Sequence, residues 1–316
     1  MDVDGVIKIV EKLAGLRAFS GSDSKLVVDR ISFGIPQLDI AIGGGAPRGR
    51  MVLIEGDPSV GKTFVLQHLI KSAQRDPNAI CVYFNAEQKF DPEWFALTGV
   101  DVDRLAVVQG NIAESIFDGI IQLTKVGADL IALDSLAAAL PTPEDEDEMV
   151  QQTMGLQARV FSKGFRKLIP ALSESRSCLV FTNQRRSTIG QYVPDSNPGG
   201  RAQHFYSSMT LHVRRGDWIE DSSKPPQRIG FHMMIRSTKN TIAAPWKEVD
   251  LPFYFDGYVD LVESLCNMAV ECGVITVSGS WFSLSYDSDN RFQGIVNLAN
   301  YFMSDEVAFR ELSMRV

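Results

Sequence analysis

The apolar run Met51 to Glu55 turns directly into Gly56-Asp57-Pro58-Ser59-Val60-Gly61-Lys62-Thr63, and then into a stretch with Val65, Leu66, Leu69 and Ile70 on one helical face. Strand, glycine-rich turn and helix in that order constrain the chain more than any other segment. The glycines let the backbone curl so that successive N–H groups point inward, and the N-terminus of the helix adds a favourable dipole, which together make a cradle for phosphate. The G-x-x-x-x-G-K-[ST] pattern in this setting predicts a bound nucleoside triphosphate. Asp57 to Phe64 would wrap the phosphates, Lys62 would reach the β- and γ-phosphates, and the Thr63 hydroxyl would sit on Mg²⁺. A chance glycine-rich turn is the plainer reading, and it explains neither flank.

Two more strand ends belong on the phosphate side. The run ADLIALDS, residues 128–135, reads as a buried strand ending in Asp134. That carboxylate fits the group that holds the Mg²⁺ shell, although an Asp closing a strand can also be an ordinary cap. A strand at 79–84 leads to Glu87. In an open parallel sheet the carboxyl ends of the strands form the ligand crevice, so Glu87 is aimed at the phosphates and is the candidate for polarising the attacking water.

The rhythm around these motifs is α/β. Strands at 51–55, 79–84, 105–109, 129–134 and 177–182 alternate with helices at 62–75, 92–97, 112–126 and 154–173, which predicts a mostly parallel, helix-covered sheet. Strand-like runs at 206–215, 228–239 and 252–257 extend it antiparallel. Helical stretches at 259–272 and 293–303 around a strand-like 279–286 predict a small C-terminal α/β lobe. At the other end, Val3, Ile7, Val10, Leu13 and Ala14 share a face of a helix over 3–16, ahead of a Ser/Gly-rich linker at 20–24. That face suits packing on another subunit and equally suits folding back on its own core. The division expected is 1–30 as helix and linker, 31–256 as the main core and 257–316 as the lobe.

A net charge of −8 makes the chain a poor general binder of polyanions, but its cations are confined. Residues 154–167 hold Arg159, Lys163, Arg166 and Lys167 with no acid, a net of +4, and residues 176–216 carry a net of +5. The rest of the chain therefore carries −17. Two basic windows are what a groove tracking a nucleic-acid backbone needs, while basic runs are also common as solvated faces. The segment from Arg185 to Gln203 is rich in Gly, Pro, Ser and Asn without period, as suits a functional loop that orders on binding. The acidic run 144–148 reads as a solvated loop, or as a screen that repels polyanions.

The remaining residues set the class. With 45% hydrophobic and 22% charged residues the chain can bury a sizeable core, and it has no run of 18 apolar residues. Cys81, Cys178, Cys266 and Cys272 lack metal spacing and read as reduced core residues. The start, MDVDGV, lacks a basic signal region. A cytoplasmic protein, of a bacterium or of a phage-infected cell, is expected.

As a set, Phe33 to Thr63, Asn85-Ala86-Glu87 through Asp91-Pro92, Leu133-Asp134-Ser135, Met154-Gly155-Leu156, Asn183-Gln184, Gly199-Gly200 and Ile242-Ala243-Ala244-Pro245 resemble the bacterial RecA recombinases and their phage-encoded relatives. The resemblance spans about residues 31 to 300. It implies a RecA-like P-loop ATPase core, with ATP and Mg²⁺ as ligands and with single- and double-stranded DNA as partners. It also implies assembly into a homo-oligomeric helical filament, with ATP-dependent pairing and strand exchange, and leaves room for accessory loader proteins. By position it implies Lys62 and Thr63 at phosphate and Mg²⁺, Glu87 on water, Asp134 on the metal, and Gln184 as a γ-phosphate sensor. Asp91 and Trp94 fall at adenine-contacting positions, though a Trp there can equally fill the core. Met154, Gly155, Arg159, Arg166, Arg185, Arg186, Gly199, Gly200 and Arg201 fall in or beside the DNA-binding loops.

Two departures stand out. The family's K-N-K-I-A-A-P stretch, whose lysines reach a neighbour's γ-phosphate, here keeps Lys239 but has Thr241 in place of the second lysine. One cationic contact is thus missing. The family's long acidic tail has no counterpart after LSMRV, which implies weaker restraint on DNA access. A RecA-like accessory ATPase without strand exchange, and a helicase or loader motor, are the competing readings. The MGL…NQ…GG set argues against the motor.

Overall fold

The structure, a computed structural model, describes residues 2–14, 16–142, 153–185 and 200–316. The chain runs through α1 (Val3–Ala14), β1 (Arg30–Ile31), α2 (Pro36–Ile42), β2 (Ala46–Pro47), β3 (Met51–Gly56), α3 (Lys62–Ala73), β4 (Cys81–Asn85) and α4 (Pro92–Leu97). It continues through β5 (Leu105–Gln109), α5 (Ala113–Lys125), β6 (Leu130–Asp134), α6 (Thr153–Ser175), β7 (Cys178–Gln184), α7 (Ala202–Tyr206), β8 (Met209–Glu220), β9 (Arg228–Asn240) and β10 (Glu248–Tyr254). Last come α8 (Leu261–Glu271), β11 (Ile275–Ser278), β12 (Trp281–Leu284), β13 (Asp287–Gln293), α9 (Ile295–Ser304) and α10 (Glu306–Arg315).

Eight strands form one sheet in the order β10-β9-β8-β3-β7-β6-β4-β5. The six from β8 to β5 run parallel, and β9 and β10 extend the β8 edge antiparallel. Every residue of β3, β4 and β6 is buried, so both faces of the centre must be covered. On one face α3 seats Val65, Leu66, Leu69 and Ile70 in the core. On the other, Phe117 of α5 meets Phe161 and Phe165 of α6 edge-on, with ring centroids 5.8 and 5.4 Å away. The α/β core and the antiparallel extension expected from the sequence are both present.

The C-terminal part is richer than the sequence pattern suggests. In place of one strand near 279–286, β11, β12 and β13 form a separate three-stranded antiparallel sheet, and α10 follows α9. β13 reads DSDNRFQ because it is an edge strand, and α10 buries Leu312 alone, so neither carries a strong periodic signal. At the N-terminus no described residue of α1 is buried; Val3 and Leu13 are 63% and 79% exposed. Its apolar face is therefore not folded into the chain's own core. Cys81, Cys178 and Cys266 are buried free thiols as expected, but Cys272 is exposed just past α8. No described helix is long and apolar enough to cross a membrane.

Candidate functional site

β3 lies between β7 and β8, with Gly56 in register with Gln184 on one side and Val213 on the other. The loop that follows leaves from the middle of the sheet, at the carboxyl ends of its parallel strands. Only glycine fits its two pivots. A Cβ on Gly56 would lie 2.1 Å from the Val213 carbonyl oxygen, and one on Gly61, at φ +95°, would lie 2.2 Å from Met233 Cε. Lys62 opens α3 and folds its side chain back, donating to the carbonyls of Gly56 at 3.0 Å and of Asp57. Burial lowers the pKa of its ammonium, while Asp134, Glu87 and Asp57 oppose that shift.

Asp134, at the end of β6, is buried and receives three hydroxyls. Thr63 Oγ1 donates to Oδ2 at 2.6 Å, Tyr83 Oη donates to the same oxygen at 3.1 Å, and Thr182 Oγ1 donates to Oδ1. Among the described residues no cluster of three or more His, Cys, Asp or Glu side chains could cage a metal. One carboxylate beside one hydroxyl still fits Mg²⁺, which takes few protein oxygens and fills its shell with water and phosphate.

Glu87 sits across from this pair. Ser135 Oγ donates to its Oε1 at 2.6 Å, Gln184 Nε2 approaches the same oxygen at 3.4 Å, and Lys89 Nζ pairs with Oε2 at 2.9 Å. Burial pushes the Glu87 carboxyl up, but the hydrogen bonds from Ser135, Lys89 and Gln184 outweigh it and hold the pKa below the ordinary value. Glu87 is therefore an anion at neutral pH.

A cleft of about 490 Å³ contains Pro58, Ser59, Gly61, Lys62, Thr63, Phe64, Glu87, Trp94, Asp134 and Gln184, all site residues expected from the sequence. It also contains Lys89, Phe231, Phe253 and Phe255, which the sequence reading missed. The phenylalanines read as core positions of late strands, and only the fold brings them round to the loop at 56–63. Lys89 had one signal, its place two residues after Glu87. Asp91 does not line the cleft; its carboxylate caps α4, accepting from the backbone N–H of Glu93 at 2.9 Å and of Trp94 at 3.3 Å. It positions Trp94.

Of the two basic segments, the second adjoins this cleft. In α6, Gly155, Arg159, Lys163, Arg166 and Lys167 are exposed, and the spacing of the four cations puts them in one stripe; Met154 lies in the first turn. Arg185 follows Gln184 directly and its backbone N–H donates to the Gly56 carbonyl at 3.2 Å, so the second basic segment starts at the phosphate loop itself. It returns at Gly200 and the exposed Arg201. There Gln203 Nε2 donates to the Gly200 carbonyl at 3.2 Å while its Oε1 accepts from Asn183 Nδ2 at 2.6 Å. Arg186, Gly199 and the acidic run 144–148 lie outside the described residues. Lys239 is outside this cleft, its Nζ donating to the carbonyls of His204 and Phe205 at 2.8 and 3.0 Å.

A parallel sheet with a central phosphate loop, a hydroxyl–carboxylate pair and a second carboxylate on the next strand end defines a P-loop nucleoside triphosphatase. A model of the RecA N-terminal domain matches residues 2–260, and the chain belongs to the RecA family. It is similar to Protein RecA of Cutibacterium acnes, 37% identical over 300 residues that cover 94% of this chain and 84% of that one. Protein RecA of Thermus aquaticus is 37% identical over 321 residues, covering 99% and 93%. Protein RecA of Heliobacterium modesticaldum is 35% identical over 299 residues, covering 93% and 85%.

Proposed function

We infer that the chain is an ATP-dependent DNA recombinase, which coats single-stranded DNA as a homo-oligomeric filament, pairs it with duplex and hydrolyses ATP in a DNA-dependent way. One observation carries this reading: the Gly56 carbonyl at the start of the phosphate loop is hydrogen-bonded to Arg185, the first residue of the second basic segment. Nucleotide and DNA then act on the two ends of one strand-loop junction.

The nucleotide-side roles rest mainly on the residues lining the cleft. Asp57 to Phe64 wrap the phosphates, and Lys62 exchanges its loop carbonyls for phosphate oxygens. Thr63 and Asp134 hold Mg²⁺, which when bound neutralises phosphate charge and fixes the γ-phosphoryl group. Glu87, ionised and held by Ser135, orients the attacking water and takes its proton. Gln184 exchanges its contact with Glu87 for the γ-phosphate and so moves Arg185 and the basic segment that begins there. Trp94, set by Asp91, offers its ring to the adenine. Lys239 reaches the γ-phosphate of the adjacent subunit's ATP, and Arg159, Arg166, Arg185, Arg186 and Arg201 take DNA phosphates, with Gly155, Gly199 and Gly200 giving close backbone approach and Met154 at the edge of the groove. Residues 1–30 serve as the oligomerisation arm, 31–256 as the ATPase core and 257–316 as a separate lobe.

Electron microscopy with single-stranded DNA and a non-hydrolysable ATP analogue tests the reading, alongside a strand-exchange assay. A helical filament and exchanged strands are expected. Rings or monomers, with no exchange, would overturn it.

A further inference from the structure

Lys89 is a cation of the cleft that takes no part in the steps assigned to Lys62, Glu87 and Gln184. Its backbone is fixed: Gln88 before it adopts a left-handed conformation at φ +56°, and the Lys89 N–H donates to Oδ1 of the buried Asn85 at 2.9 Å. This turn sends Glu87 and Lys89 to the same side, where both line the cleft and pair at 2.9 Å. The two members differ in setting. The Lys89 side chain is 77% exposed whereas that of Glu87 is 21% exposed and also held by Ser135.

The ionic content of the cleft makes the pair consequential. Among the described lining residues the charges are Lys62 and Lys89 against Glu87 and Asp134. Lys62 is tied to loop carbonyls, and Asp134 to the Thr63 hydroxyl. Lys89 is the cation with a solvated, flexible stem, and an exposed ion pair of this kind is held weakly. An arriving triphosphate brings a denser negative charge than one carboxylate, and its oxygens accept the same charge-assisted bond from an ammonium that the carboxylate does.

We propose that Lys89 is a second cationic catalytic residue acting in its own subunit: on ATP binding its ammonium leaves Glu87 for a γ-phosphate oxygen. Two effects come from one movement. The carboxylate is freed to take the water proton, and charge on the transferring group is neutralised. The step itself is phosphoryl transfer to water. The water oxygen bonds to the γ-phosphorus, the bond to the β–γ bridging oxygen breaks with its electron pair leaving on ADP, and the water proton passes to Glu87. This proposal rests on the ATPase reading of the cleft.

The test compares the parent with Lys89→Ala and Lys89→Arg in full-length protein, by affinity for a non-hydrolysable ATP analogue against ADP and by single-stranded-DNA-dependent hydrolysis. Lys89→Ala should lose about 10-fold in analogue affinity with ADP affinity kept, and kcat should fall on the order of 10²-fold, the usual effect of removing one donor to developing charge. Lys89→Arg should restore most of both. Mixtures of Lys89→Ala with Glu87→Gln subunits should show no recovery, because no single cleft then holds both groups. Parental hydrolysis and parental analogue-to-ADP discrimination in Lys89→Ala would overturn the proposal, and recovery in the mixtures would overturn its assignment to the same subunit. A parent that binds ATP but never hydrolyses it would instead refute the ATPase reading, while the affinity comparison would still decide the role of Lys89.

Discussion

In the roles proposed for them, Lys62 and Glu87 face different parts of the same ligand, and their variants should part accordingly. If Lys62 contacts phosphate in both ground and transition states, Lys62→Ala should abolish ATP-dependent DNA binding. If Glu87 acts on water, Glu87→Gln should keep that binding and stop turnover. Filter binding with an ATP analogue and a phosphate-release assay separate the two, and a Glu87→Gln protein that hydrolysed ATP at the parental rate would remove Glu87 from the chemistry. A third residue is tied to stability. His68 of α3 is buried, its ring 4.5 Å from that of Phe64, and burial pushes its pKa from 6.5 down to about 4. Above pH 6.5 both folded and unfolded states are neutral there; as pH falls the unfolded chain takes the proton first. Stability is then lost down to about pH 4, by roughly 3 kcal/mol in all. Urea midpoints for His68→Leu should fall less than the parent's between about pH 7 and pH 5, and parallel curves would show that this imidazole does not govern the window.

Among the elements, the loop between β3 and α3 is held by what its glycines touch. At Gly56 an added Cβ meets the backbone of β8, whereas at Gly61 it meets the end of the flexible Met233 side chain. Both positions have φ in the left-handed half of the map and each substitution should cost about 1–3 kcal/mol in backbone strain, but Met233 can turn away and the Val213 carbonyl cannot. Gly56→Ala should therefore be the less stable variant by urea denaturation; the reverse order would mean that the sheet, not the loop, absorbs the change. The stripe on α6 allows a different measurement. If Arg159 and Arg166 each meet one phosphate of single-stranded DNA, replacing both by Ala should reduce the slope of log affinity against log salt by about 1.4, at about 0.7 per contact. An unchanged slope would mean that the stripe is a solvated face.

In the whole molecule the decisive group is Lys239, which lies outside its own subunit's cleft and caps α7. Burial lowers its pKa. If it serves the neighbour's ATP, Lys239→Ala and Glu87→Gln subunits, each inactive alone, should partly recover hydrolysis when mixed, because some junctions pair an intact Glu87 with an intact Lys239. Absence of recovery in mixtures that co-assemble on DNA would place Lys239 in its own subunit's site or outside the chemistry.

Much of this was legible before folding, for a physical reason. A loop that cradles phosphate needs glycines, a lysine and a hydroxyl at fixed offsets between a strand and a helix, so Gly56 to Thr63 declare themselves locally, and buried parallel strands must be apolar throughout, so β3, β4 and β6 with Asp134 at a strand end do the same. Edge strands and solvent-facing helices are under no such demand, which is why β13 and α10 escaped. What the sequence could not contain is which distant residues meet. Phe231, Phe253 and Phe255 lining one cleft with Trp94, and Lys239 on α7, depend on strand order, which is decided by how the whole sheet buries its faces; the Glu87–Lys89 pair is local in sequence and needs the left-handed turn at Gln88.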